Sequence, residues 1–123
     1  MFGDPTTITV NAVAKALVRI NQDKYSSEYL LRSATDEFRL FIRNSTSTDK
    51  TRGVSTDRHN ILLKWTVFPV APATRSYIRT ASCTITNEVG DTQVDPVNLT
   101  IGLCNFLTAT SGQAISKMLN SES

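Results

Sequence analysis

Histidine is nearly missing from this sequence, with His59 the only one. Its neighbours are Asp57 and Arg58, and no serine near it sits in the strand–turn–helix setting of a hydrolase nucleophile. The expectation is an imidazole at the start of a strand, hydrogen-bonded or solvated, rather than a catalytic base. Cysteine is scarce as well. Cys83 and Cys104 lie in apolar or Thr-rich surroundings without a CxxC pair or an adjacent histidine. That disfavours zinc and redox motifs and predicts buried thiols in a reducing compartment, not a disulfide. The five glycines include no adjacent pair, which excludes a phosphate-cradling loop or a dinucleotide fingerprint. An enzyme is not expected, nor a metal or cofactor. The first 25 residues carry Asp4, Lys15, Arg19 and Asp23, and no apolar run is long enough for a signal peptide's central region or a membrane span. The chain is expected to be cytosolic where it is made. Net charge is only +2, so any affinity for nucleic acid must come from a local patch.

What is present is β-sheet patterning. The 123 residues, 40% hydrophobic and 20% charged, fit one globular domain spanning 1–123. "TTITV" (6–10) and "AKALVRI" (14–20) alternate and lie close enough for a hairpin. "YSSEYLLR" (25–32) puts Tyr25, Tyr29 and Leu31 on one side. "DEFRLFIRN" (36–44) separates Phe38, Leu40 and Ile42 from Glu37, Arg39, Phe41 and Arg43. Residues 44–57 have no period and are expected to be a loop or a frayed strand end. "RHNILLKWTVF" (58–68) is the longest strand candidate, and the two prolines of "PVAPAT" (69–74) make a stiff loop after it. "RSYIRTASCTITNEV" (75–89) is a further strand, stopped by Gly90-Asp91.

Beyond residue 94 the pattern turns helical. Asp95 can cap, and Pro96 suits a first helical position. The segment Val97–Leu107 carries apolar stripes wider than one buried face needs, Gly112 breaks the helix, and a shorter helix follows with Ile115, Met118 and Leu119. The layout is therefore α+β. Two readings stay open: an obligate homodimer whose partner helices cover the sheet and the surplus apolar surface, or a monomer whose own helices fold back.

One parity across the strands gathers Arg39, Phe41 and Arg43; Arg58, Asn60, Lys64 and Thr66; and Tyr77 and Arg79. If the strands neighbour one another, these form one surface. Arginines bind phosphate, exposed aromatics offer stacking platforms, and Asn and Thr can read base edges. The alternative is a solvated face on which Arg39 and Arg43 pair with Glu28 or Glu37 for about 0–1 kcal/mol each.

Across residues 6–120 the chain resembles the coat proteins of the single-stranded RNA bacteriophages, the levivirus group. The likeness is carried by "TITV", "KALVRINQDKYSSEYLL" (15–31), "RHN" (58–60), "RSYIR" (75–79), "NEVGD" (87–91) and the terminal helices. The resemblance implies an N-terminal β-hairpin (6–20), a five-stranded antiparallel sheet (25–89) and two C-terminal helices (96–120). It implies an interlocked homodimer with sheets joined edge to edge, and dimers building an icosahedral shell in the bacterial host cytoplasm. In the virion the sheet would face single-stranded genomic RNA, and it would bind an RNA stem-loop as a translational repressor. By the same resemblance Tyr77 is the stacking tyrosine with Arg79 beside it; Arg39, Phe41 and Arg43 face RNA, with Asn60 and Lys64 from the next strand. The chain departs from family members that form adenine pockets with Thr and Ser where it has Arg39 and Phe41. Its "PVAPAT" loop corresponds to one that gathers at symmetry axes and lacks cysteine, so no cross-links between dimers are expected.

Overall fold

The computed structural model describes residues 2–123. Its strands are β1 (Thr6–Val10), β2 (Val13–Gln22), β3 (Ser26–Arg32), β4 (Asp36–Asp49), β5 (Val54–Val67) and β6 (Tyr77–Glu88), followed by helix α1 (Val94–Leu119). All neighbours are antiparallel, and the six strands lie in sequence order in one sheet. The α+β class holds. The counts differ from a hairpin plus five strands plus two helices.

The hairpin and the sheet share a strand. The first half of β2 pairs with β1, from Thr6 opposite Leu17 to Val10 opposite Val13. Its second half pairs with β3, with an irregularity between Arg19 and Asn21. Asn11 and Ala12 make the turn with positive φ, the backbone a two-residue hairpin needs to match strand twist.

Residues 44–57 are not a loop. β4 and β5 stay paired out to Asp49 opposite Val54, and only Lys50–Gly53 turn. Thr and Ser suit an exposed pleat without apolar alternation. Thr46 Oγ1 donates to Asp57 Oδ1 across the strands at 2.7 Å, and Asp49 Oδ1 accepts from the Thr51 and Arg52 amides. Gly53 closes the turn at φ 70°, a left-handed backbone suited to glycine.

Period two sends alternate side chains to opposite faces. On one face Leu17, Tyr29, Phe38, Leu40 and Ile42 form the buried core, flanked by Ile8, Val10, Leu31, Leu63 and Trp65. The hairpin thus helps to cover this apolar face. His59 lies on β5, its Nδ1 hydrogen-bonded to Asn44 Oδ1 at 2.7 Å. Cys83 and Cys104 are free, but Cys83 is half-buried and Cys104 exposed, so the expectation of two buried thiols fails for the single chain.

α1 starts at Val94, which places Asp95 and Pro96 in the first turn, with Gln93 at the cap position. Asp95 accepts from Thr92 Oγ1 at 2.7 Å. The expected stop is there: Ala109, Thr110, Ser111 and Gly112 leave helical geometry, the last three at positive φ, and divide α1 into two helical segments joined by a kink. None of α1 is buried, and among elements of the chain it packs mainly on β6. Leu99, Leu103, Phe106, Met118 and Leu119 are all exposed.

Candidate nucleic-acid interface

The β4–β5 register decides which side chains share a face. Phe38, Leu40 and Ile42 stand opposite Trp65, Leu63 and Ile61 on the apolar face. Between them Glu37 stands opposite Thr66, Arg39 opposite Lys64, Phe41 opposite Leu62, Arg43 opposite Asn60 and Ser45 opposite Arg58. Arg39, Phe41, Arg43, Arg58, Asn60, Lys64 and Thr66 therefore share the second face, as their parity predicts.

Tyr77 and Arg79 do not join them. Across β5–β6, Lys64 faces Thr80 and Thr66 faces Ile78, so Tyr77 and Arg79 stand opposite Val67 and Trp65 on the apolar face. There the Arg79 guanidinium lies 4.6 Å from the Trp65 ring centroid, within reach of the ring's negative face. Trp65 in turn stacks on Phe38 at 5.3 Å. What β6 contributes to the basic face is Ile78, Thr80, Ser82, Thr84 and Thr86. Parity is kept within a strand, but the proline-bearing connection between β5 and β6 resets it. The single surface expected from all these residues is corrected to that extent.

Charge on the basic face is uneven. Arg39 donates from Nη1 to Glu28 at 2.6 Å and from Nε to Glu37 at 3.2 Å, and Arg32 donates to the same Glu37 oxygen at 2.8 Å. The solvated-pair alternative is thus realised for Arg39. Glu37 is only 9% exposed. Burial pushes its carboxyl up, but the hydrogen bonds from Arg32 and Arg39, with their charges, outweigh that and hold it below the ordinary 4.5. The bond to Glu28 raises the Arg39 guanidinium against its own desolvation. Among the described residues Arg43, Arg58 and Lys64 take part in no ion pair. Arg43 lies over Phe41 at 5.0 Å, and Asn60 donates to Thr84 Oγ1 at 2.9 Å.

A pH dependence follows. A carboxyl with a depressed native pKa binds fewer protons folded than unfolded, so its stabilisation is present above the unfolded value and is lost as pH falls through the folded one. Glu37 acts in this sense, and so does Asp36, whose carboxyl accepts from Ser33 and from the Trp65 indole. Thermal melts should show Tm falling as pH drops below about 4.5, and Glu37→Gln should flatten part of that fall.

Two of these cations, Arg43 and Arg58, border a groove of about 600 Å³ at the β2–β3 end of the sheet. Lys24, Tyr25, Arg43, Arg58 and Asn60 line it. Sequence reading missed Lys24, which sits in the turn before β3, and placed Tyr25 by parity with Tyr29 and Leu31; the Asn44 amide donating to the Tyr25 carbonyl continues that register. A lysine beside an aromatic in a polar turn was the available signal.

A family profile for the coat protein of phage phiCb5 matches residues 3–88. The chain belongs to that coat-protein family. As a coat protein it is a structural, non-enzymatic component of phage particles. Among solved structures, the virus-like particle of Beihai levi-like virus 21 aligns over 98% of this coat protein and 95% of its own chain, with TM-score 0.75 and 10% identity. The virus-like particle of bacteriophage AVE019 aligns over 100% and 98%, with TM-score 0.64 and 14% identity. At such identities the likeness is one of fold. No curated protein sequence matches this coat protein.

Proposed function

We propose that this coat protein forms interlocked homodimers that assemble into an icosahedral shell around single-stranded RNA. The shell forms in the host cytoplasm, with the face of Arg43, Arg58 and Lys64 toward the genome. The same face binds a genomic stem-loop and thereby represses translation. The observation that carries this reading is the mismatch between two surfaces: a helix left apolar and uncovered, and a sheet face whose cations are not all neutralised. A second copy supplies cover for the first, and polynucleotide supplies counter-charge for the second. The two aligned structures, each a virus-like particle, support the assembly. Tyr77 and Arg79 fall outside the proposed RNA surface because of their register.

Electron microscopy and nucleic-acid analysis of the purified protein test this. Uniform particles containing host RNA are expected; a stable dimer and nothing larger would favour a non-assembling dimeric RNA-binding protein. Lys64→Glu should lower packaged RNA, measured by ultraviolet absorbance, without unfolding the protein. It should also make the salt dependence of RNA binding shallower, by about 0.7 in log–log slope for each phosphate that is no longer neutralised. Unchanged RNA content in this variant would make the face ordinary solvent surface.

A further inference from the structure

We propose that a pocket around Arg19, on the apolar face of the sheet, receives the carboxylate of Glu122 of the partner subunit. This rests on the homodimer proposed above and names a charged contact that joins its two copies.

At the β2–β3 end the apolar face opens into a cavity of about 430 Å³, bordered by Phe2, Arg19, Tyr25, Tyr29 and Ile42. Arg19 stands opposite Tyr29, a core residue, and shares its face. Its guanidinium lies 5.5 Å from the Tyr29 ring centroid. Nη2 donates to the Phe2 carbonyl at 2.6 Å and to Tyr29 Oη at 3.1 Å. Both acceptors are neutral. Among the described residues Arg19 takes part in no ion pair, and its Nε is a buried nitrogen without a hydrogen-bond partner. A half-buried cation among neutral groups has lost water without gaining counter-charge, which a carboxylate supplies. The acids nearest in sequence do not supply it. Asp4 accepts from the Arg19 amide rather than the guanidinium, at 3.0 Å. Asp23 is engaged by the Tyr25 and Ser26 amides and the Ser26 hydroxyl.

One carboxylate of the chain is uncommitted. Among the described residues every other aspartate and glutamate accepts a hydrogen bond or pairs with arginine; Glu122 does neither. Its backbone is nevertheless fixed at the end of α1. The Glu122 amide donates to the Lys117 carbonyl at 3.0 Å, and the Ser121 amide to the Met118 carbonyl at 2.9 Å. Met118 and Leu119 beside it are exposed, as are the Phe2 and Tyr25 rings at the pocket. Acid flanked by apolar side chains thus matches cation flanked by aromatic ones.

The two do not meet within one chain. α1 packs mainly on β6, where Pro96, Val97 and Ile101 border a cleft with His59 and Ile85. The hollow beside Glu122 is lined only by α1 and the residues after it. β6 is an edge of the sheet, so a copy related by a two-fold axis at that edge would carry its α1 across this sheet. The lengths agree. β2 lies four strands from β6, about 19 Å at the usual spacing. Residues 94–108, ahead of the kink, extend about 22 Å as a helix.

The test is a double-mutant cycle on the purified assembled protein, read as the urea midpoint at fixed protein concentration. Glu122→Gln should lower the midpoint by about 0.5–1 M, because the contact occurs twice in a dimer. In an Arg19→Gln background the same substitution should have no effect. Carbodiimide, which condenses a carboxylate with a neighbouring ammonium, should join Glu122 to Lys24, which also lines the pocket, in a species of twice the chain mass. The same linked peptide at the mass of one chain would place the contact inside a single copy and overturn the proposal. Should Arg19→Gln fail to fold by circular dichroism, the cross-link decides alone, and its absence overturns the pocket. If the parent forms dimers or particles but the two substitutions simply add, the homodimer stands and only the pocket falls. If the parent is a monomer in light scattering, both fall.

Discussion

Leu103→Asp combined with Phe106→Asp should abolish particle formation and leave a species no larger than a monomer in light scattering. In the single chain these side chains are 52% and 67% exposed, so aspartate there would cost an isolated monomer little. In the homodimer proposed above they would become interior. Burying a Leu or Phe contributes about 1.5–3 kcal/mol, and in a two-fold interface each substitution acts twice. Aspartate also brings a charge that desolvation disfavours far more strongly than removal of the apolar group. The helix-to-helix packing should therefore fail as a whole. Particles of normal size from this variant would show that α1 lies outside the assembly interface.

Leu40→Ala should destabilise the fold by about 2–5 kcal/mol, the usual cost of a cavity where a buried leucine stood. Leu40 is 2% exposed, with Tyr29 opposite it on β3 and Leu63 opposite it on β5. Small domains have only about 5–15 kcal/mol in total, so this one change removes a large share. Urea denaturation at fixed protein concentration would show it as a lower midpoint with an unchanged slope. The exposed Thr48→Ala on the same strand should stay within about 0.5 kcal/mol. Equal midpoints for the two variants would mean that the core is not where Leu40 sits.

Most of the sheet could be read from alternation alone. Phe38, Leu40 and Ile42 announce their burial because a strand with one dry face must place its apolar residues at every second position. The same rule foretold that Arg39, Phe41 and Arg43 would share a face with Asn60 and Lys64. It failed at Tyr77, because nothing local tells how a connection such as "PVAPAT" rephases the next strand. It failed again at Thr46 and Thr48, which are strand without alternation: both sides of that arm are wet, so no apolar signal exists. The helix break was readable because Gly112 marks a left-handed backbone, while the participation of Thr110 and Ser111 in it was not. The pairing of Arg39 with Glu28 or Glu37 was legible as the alternative reading of that face, but that Arg39 takes both while Arg43 takes neither needed three dimensions, since Glu28 arrives from β3.

The strand shared between hairpin and sheet has a practical side. Because β2 serves β1 with its first half and β3 with its second, the amino-terminal segment is no detachable appendage. A guest peptide fused there would transmit its pull along unbroken backbone to Arg19 and on to Tyr29 in the core. The Lys50–Gly53 bend caps a short tip beyond the last β5–β6 pair, Thr56 opposite Glu88, and that tip is tied to the end of β6 by the Val89 amide donating to the Ser55 carbonyl and by the Arg52–Glu88 ion pair. An engineer wishing to decorate this molecule would do better to hang cargo from that tip than from its beginning.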